Sequence, residues 1–359
     1  MTTAPGTTVH ELPAPTGPDD PDLAALLDAE HDVLADVWGH LDFLMTPRER
    51  WGRLSDARDE RLITLVARDD RTVLGYAQLE VPTRGNEHLL YVDLAVRPGH
   101  RRHGLGSALW DATLDVARRE GRSTVFAGID QRTEPAPGPR TLVPATGSGQ
   151  VDGDSTGVRF AVGRGLALEQ VDRYSVLQVP LVPEVLAAHL EAASTVADAD
   201  YEVVTWVDRC PDAWVDGLAV LEQAMSTDAP LGGLDLREEP WDAARVRRTE
   251  QRRATSGQRT LTAAAVHRAT GTLAAFTQIV LGSRPDFGWQ HDTLVRTDHR
   301  GHRLGMLVKA ANLAQLAVRA PQVRRVGTWN AEENAHMLAI NVALGFAPAG
   351  GSSSWQLRI

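Results

Sequence analysis

Two seven-residue phrases carry the chemistry most open to inspection. HRRHGLG at His100–Gly106 and HRGHRLG at His299–Gly305 lie 199 residues apart and agree at five positions. Each follows an apolar run, YVDLAV or QHDTLV, and each opens into a helical pattern. The first turn of a helix leaves backbone N–H groups unpaired and carries a partial positive charge. Glycines there clear the approach to those donors, and arginines add charge and further donors. Such a turn suits the oxygens of a pyrophosphate. A single copy would also fit a plain strand-to-helix connection, and the duplication weighs against that bland reading. No G-x-x-x-x-G-K-[ST] phrase and no early G-x-G-x-x-G is present, which argues against nucleotide hydrolases and dinucleotide dehydrogenases.

The elements that must position these phrases repeat as well. Arg68–Gln78 (RDDRTVLGYAQ) aligns with Arg268–Gln278 (RATGTLAAFTQ) at an offset of 200, and each spells strand, polar turn, strand. Tyr76 matches Phe276, and Asp93 matches Asp292 within the apolar strands. Downstream, GSALWDATLDVARREG and MLVKAANLAQLAVRAP are helical patterns. The β-rich segments STVFAGI and RRVGTWN follow, and then the helices VRFAVGRGL and NAHMLAINVALGF, each running into a glycine. The chain is therefore expected to be a tandem α/β protein. Residues 1–182 form one domain, 183–200 an alanine-rich helical connector, and 201–359 the second domain. Gln131–Gly157, dense in Gly and Pro, is expected to be a mobile loop inserted in the first domain. Met1–Pro18 begins as a tail, with TVHELPA a candidate first strand.

Composition bounds the class. At 359 residues, 43% hydrophobic and 23% charged, the chain matches a soluble protein of two domains. No apolar run is long enough to cross a bilayer, and MTTAPGTTVHELPAP has no secretory-signal pattern. The single cysteine, Cys210, excludes a disulfide framework, and the twelve histidines show no tight metal spacing, so no metal is expected. A cytoplasmic location follows. A net charge of −10 opposes nucleic-acid binding and permits attraction of cationic small molecules. Neither nucleic acid nor membrane is expected as a partner.

Arg101-Arg-His-Gly104-Leu-Gly106 matches Arg/Gln-x-x-Gly-x-Gly/Ala, and in this the chain resembles the GNAT superfamily of acyl-CoA-dependent N-acetyltransferases. The late Asn…Gly-Phe helix NAHMLAINVALGF strengthens the resemblance, which covers most of both halves. It implies two tandem domains, each a mixed, mostly antiparallel central sheet flanked by helices. It also implies acetyl-CoA as co-substrate and a primary amine, of a small molecule, as acceptor in direct attack. The backbones of Leu94, Ala95 and Val96, and of Leu294, Val295 and Arg296, would pair with the pantetheine arm. N–H groups of Arg101, Arg102, His103, Gly104, Leu105, Gly106 and Ser107 would hold the pyrophosphate. In the second half that role falls to Arg300, Gly301, His302, Arg303, Leu304, Gly305 and Met306, with Asn334 as a further cofactor contact. Asp93 and Asp292 are candidates to take the amine proton, or are carboxylates tied to nearby backbone or arginine.

Two departures qualify the resemblance. The tyrosine that often protonates the CoA thiolate is replaced by Asn341 in the second half and Ala161 in the first, and asparagine donates a hydrogen bond without supplying a proton. Arg303 stands where the first phrase has Gly104, so the second loop is expected to hold a helical conformation at 303 or to shift slightly. The balance leans towards the second domain as the catalytic unit, within a pseudo-dimeric monomer. An acyl-CoA-binding protein without turnover, and an enzyme acetylating protein termini or lysines, are the other readings.

Overall fold

The structure is a computed structural model that describes residues 8–55 and 58–359. The tail expected at the start falls on residues 1–7, outside the described residues. The chain forms two compact units. The first contains the residues up to Asp172 together with Leu231–Arg237 and Gly350–Ile359; the second contains Arg173–Pro230 and Glu238–Ala349.

The first unit runs β1 (Thr8–Glu11), α1 (Pro21–Trp38), α2 (Pro47–Leu54), β2 (Glu60–Asp69), β3 (Thr72–Pro82), β4 (Leu89–Val96), α3 (Leu105–Arg119), β5 (Thr124–Gln131), the two-residue strands β6 (Thr141–Leu142) and β7 (Val151–Asp152), α4 (Thr156–Gly163) and the start of β8 (Ala167–Gln178). Strands β1 to β5 lie side by side in chain order, antiparallel except for the parallel β4–β5 pair. Leu109, Trp110 and Val116 of α3 fill one face with Ile63, Leu65, Leu79 and Val92. Leu26, Ala29 and Val33 of α1 meet Val66 and Tyr76 on the other. Both helices over this second face start on strong signals. Asp20 caps α1 by accepting from the Asp22 and Leu23 N–H groups, and Pro21 takes the first position. Thr46 and Glu49 form a reciprocal capping box at α2.

The segment expected to be a mobile loop is built instead. β6 and β7 pair as a ribbon, Val151 is buried, and the Gln131 amide donates to the Gln150 carbonyl at 3.0 Å. Glycine density there serves tight turns, with Gly147 and Gly149 both at φ +75°.

The second unit begins with the end of β8 and α5 (Pro183–Ala197). It continues through β9 (Tyr201–Val207), α6 (Val215–Asp228), α7 (Ala243–Thr255), β10 (Arg259–His267), β11 (Thr272–Leu281), β12 (Phe287–Val295), α8 (Leu304–Arg319), β13 (Arg325–Ala331) and α9 (Ala335–Leu344) into β14 (Ala347–Arg358). Its strands follow the order β9 to β13 with the single parallel pair β12–β13. The sixth strands are exchanged. Residues 351–358 of β14 pair with β5 of the first unit, whereas β8 neighbours β13 of the second. The expected mixed, mostly antiparallel α/β architecture is therefore present twice. Among the described residues no helix is long and apolar enough to cross a membrane.

Candidate active site

Alternation along a strand puts every second residue on one face. In the first unit this rule gathers a set of polar residues beneath α1 and α2. Gln78 of β3 lies opposite Asp93 of β4, and Thr64 of β2 lies opposite Gln78. From α2, Arg50 donates to both Glu30 oxygens of α1 at 2.8 Å and to Gln78 at 2.7 Å, and the Gln78 amide returns a bond to Glu30. Glu30 and Arg50 are almost wholly buried, so each satisfies the other's charge. Glu30, Arg50, Thr64, Gln78 and Asp93 all border a cavity of about 550 Å³. Tyr76, Glu80, Tyr91, Phe126, Gly128 and Asp130 also line it, and Leu234 and Leu236 complete the wall.

Asp93 opens into this cavity and makes no hydrogen bond or ion pair among the described residues. Its carboxylate is accessible from within the cavity yet surrounded by protein. That desolvation, with Asp130 and Glu30 adding to it against Arg50 and Arg53, pushes its pKa up to about 6. Asp130 accepts from the Trp38 indole at 3.1 Å and from the Ser352 hydroxyl, and burial holds its pKa above the usual carboxylate value. Tyr76 is pushed well above 10 by burial and by Asp93, so it stays a neutral phenol.

Beyond Asp93 the sheet opens. The β4–β5 ladder runs from Leu89–Thr124 to Val92–Ala127 and ends there, leaving the β5-side edge of Leu94, Ala95 and Val96 without a strand partner. β12 and β13 part in the same way after Gln290–Thr328, before Leu294, Val295 and Arg296. Such an edge accepts an extended ligand as an added strand.

Both phrases sit at the mouth of that opening, between a 3₁₀ turn and the first turn of α3 or α8. The expected helical conformation at Arg303 is not adopted. Arg303 is left-handed at φ +54°, as Gly104 is at φ +85°. Two residues earlier Arg102 is left-handed at φ +68° and Gly301 at φ +90°. Each loop thus needs two left-handed positions and fills them with one glycine and one arginine in opposite order. A non-glycine residue there costs about 1 kcal/mol. The loops are equally strained, so a difference in loop quality does not separate the units.

A Cβ at Gly104 or Gly301 would meet nothing within 4 Å, so the approach to each loop is open. Arg102 and Arg303 are exposed and make no ion pair among the described residues. Arg101 instead binds Asp36 at 2.8 Å and the Val96 carbonyl at 3.0 Å, and Arg300 binds Asp228 at 3.1 Å. His103 turns back to the His100 carbonyl, and His302 packs near the Tyr201 ring. Leu105, Leu304 and Met306 are buried anchors that leave only their N–H groups to a ligand; Gly106, Ser107 and Gly305 follow in the same first turns. A Cβ on Gly305 would crowd Ile340 of α9 at 3.1 Å. The donors, free arginines and open strand edge fit a pyrophosphate joined to an extended arm.

The second unit repeats the polar set. Glu222 of α6, Arg253 of α7, Gln278 of β11 and Asp292 of β12 occupy the places of Glu30, Arg50, Gln78 and Asp93. The connections differ. Arg253 donates to Gln278 at 3.0 Å and to Thr260 at 3.3 Å. Burial and Asp292 push Glu222 up to about 8, and burial raises Asp292 as well, so the two share a proton near neutrality. β12 also carries an extra residue between Gln290 and Thr293, a bulge absent from β4. Asn334 caps α9 by accepting from the Met337 N–H at 3.1 Å. Asn341 is buried and donates to Asn330 at 2.6 Å.

Glu30, Arg50 and Asp130 were not legible as site residues, nor were Glu222 and Arg253. The available signal was the paired Gln78 and Gln278 at the end of the repeated hairpin. Two glutamates of the second unit are held by arginines: Arg173 grips Glu332 at 2.6 Å, and Arg245 binds Glu239 at 2.7 Å. Cys210 is buried, and its thiol is pushed up to about 12 by burial and by Glu250.

A family model described as "Acetyltransferase (GNAT) family" matches residues 23–137. A tandem GNAT protein from the clavulanic acid biosynthesis pathway is 27% identical, with a TM-score of 0.73 and 98% of each chain covered. A GCN5-related N-acetyltransferase from Sphaerobacter thermophilus is 15% identical at a TM-score of 0.60, covering 99% of this chain and 97% of that one. The glucosamine N-acetyltransferase region of a fungal multi-domain β-N-acetylglucosaminidase is 14% identical at a TM-score of 0.62, covering 99% of this chain and 38% of that one. No curated protein matches by sequence. The fold, the splayed strands and the duplicated loop agree with these likenesses: residues 23–137 match the GNAT acetyltransferase family, and the chain carries the fold of a tandem GNAT protein.

Proposed function

We propose that the first unit transfers the acetyl group of acetyl-CoA to a small primary amine, with Asp93 as general base. The observation that carries this reading is the unpartnered Asp93 carboxylate, facing a cavity of about 550 Å³ where β4 and β5 separate. Acetyl-CoA, when bound, supplies an activated thioester carbonyl; the N–H groups of Arg101–Ser107, the Arg102 guanidinium and the edge of Leu94–Val96 would hold it. An ammonium has no lone pair to attack with. Asp93, at about 6, is mostly ionised at neutral pH and still basic enough to take the proton as nitrogen attacks. Arg50 and Gln78 fix Glu30 beside it, and the net acidity of the cavity draws the cationic acceptor in. Ala161 offers no proton to the departing thiolate, whose modest basicity tolerates this, and Tyr76 keeps a hydroxyl on the same face. Release of free thiol from acetyl-CoA with a panel of small amines tests the proposal. Asp93→Asn is expected to abolish most turnover; undiminished turnover would reject it.

The second unit favours a different use. Glu222, pushed up to about 8 by burial and by Asp292, keeps its proton at neutral pH, and Arg253 turns to Gln278 and Thr260 in place of the helix carboxylate, while the loop keeps the donors for a CoA pyrophosphate. We assign it acyl-CoA binding without transfer at neutral pH.

A further inference from the structure

Charge accounting in the first unit's cavity leaves one group unused. Four carboxylates line it: Glu30, Glu80, Asp93 and Asp130. Arg50 neutralises Glu30, and Arg53 neutralises Glu80 at 2.7 Å. Asp93 serves the reacting nitrogen. Asp130 remains, and its partners Trp38 and Ser352 are neutral donors that orient the carboxylate without cancelling its charge. It is accessible from the cavity and not packed into the core.

Its position follows from the strand ladder. Tyr91 and Phe126 lie opposite each other and touch edge-on at 5.4 Å, which puts Asp93, Gly128 and Asp130 on the same face. Asp93 is two residues beyond Tyr91, and Asp130 is four beyond Phe126. The carboxylates are thus separated by about 7 Å along the strands and about 5 Å across them, before the splay adds more. Gly128 lies between them with no side chain, and a Cβ there would meet only the Ser352 hydroxyl at 3.8 Å, so the floor between the two acids is clear. Tyr91, Phe126, Leu234 and Leu236 give the remaining wall an apolar character suited to a methylene spacer. The second unit has Ala331 where the ladder places Asp130.

We infer that the acceptor is a dication, an alkyl diamine or a larger polyamine, with one nitrogen at Asp93 and a second cationic group on Asp130 as the specificity-determining contact. This rests on the acetyl-transfer reading of the same cavity. The test compares linear diamines of three to six methylenes with monoamines of equal length, using the full chain and acetyl-CoA. Diamines of about four methylenes or more are expected to exceed the matched monoamines about tenfold or more in kcat/KM, chiefly through KM. In Asp130→Asn that ratio is expected to collapse towards one, while Asp130→Glu, which keeps the charge, retains a preference. Equal use of monoamines and diamines, or a preference that survives in Asp130→Asn, would overturn the inference and leave acetyl transfer intact. Calorimetric binding of 1,4-diaminobutane and butylamine separates the two claims. Asp130-dependent diamine binding without turnover of any amine would uphold the cation site and refute transfer; no diamine preference in binding or turnover would refute the cation site.

Discussion

In the first unit Arg50 closes on Glu30 at 2.8 Å, whereas in the second Arg253 reaches Gln278 and Thr260 and leaves Glu222 to share a proton with Asp292. The residue types are the same and so are their places on the fold. What differs is whether the arginine satisfies the helix carboxylate. Where it does, the strand aspartate stands apart from that pair, and burial with Asp130 and Glu30 pushes it up to about 6. Where it does not, two acids compete for one proton, with the glutamate at about 8. A duplicated set of residue types can therefore differ in its hydrogen bonds and, with them, in its protonation.

The largest expected effect breaks this comparison at its centre. Asp93→Asn should lower kcat/KM by about 10² or more, and Asp292→Asn by no more than about threefold, in the same thiol-release assay. In the native protein kcat/KM should rise with pH through about 6, as Asp93 ionises against Asp130 and Glu30 and with Arg50 and Arg53 opposing. A carboxyl whose folded pKa is raised weighs on stability when ionised. Asp93→Asn should therefore raise the melting temperature at pH 7.5, and the advantage should fade towards pH 4.

The loops come next. Gly104→Glu puts strain and negative charge into the first unit's loop alone, and should weaken acetyl-CoA there about tenfold or more. Gly305→Glu should remove only the second site, so calorimetric stoichiometry with each variant sorts the two. Retention of turnover in Gly104→Glu with loss in Gly305→Glu would reverse the assignment of units.

A third contrast lies under the helices. α8 buries Lys309 where α3 has Trp110, and burial pushes the amine down to about 7, with the Phe346 ring 5.5 Å away. A lysine depressed from 10.5 costs stability most when both states are protonated, below about 7, and least above 10.5. Lys309→Met should stabilise by on the order of 3 kcal/mol at pH 6.5 and progressively less towards pH 10 in thermal unfolding. The smallest effect is expected from Arg102→Gly and Arg303→Gly. Each relieves about 1 kcal/mol of left-handed strain, and each removes one cation, weakening acetyl-CoA a few-fold at its own unit.

The repeat, the order of elements and the placing of the two loops at helix starts were legible because they are local. Strand alternation, helical periodicity and a glycine-rich helix start depend on neighbours within a few residues. The resemblance carried by the loop motif and its strand context pointed to Asp93 and Asp292 and to the backbones of Leu94–Val96 and Leu294–Arg296, beside which the β4–β5 and β12–β13 ladders end. The sequence misjudged Arg303, because glycine and arginine exchange places two residues apart and the backbone follows the loop and not the residue type. It left Gln131–Gly157 loose, because a ribbon of two-residue strands has no periodicity to detect.

Composition and pattern alone determined a tandem α/β chain with two glycine- and arginine-bearing helix starts and an aspartate upstream of each. Tertiary structure alone decided what surrounds each aspartate. Glu30, Arg50 and Gln78 are brought to Asp93 from two helices and a strand, and Asp130 arrives from another. The pKa of a carboxylate depends on charges and burial within several ångströms, and those are set by long-range packing that no local pattern encodes.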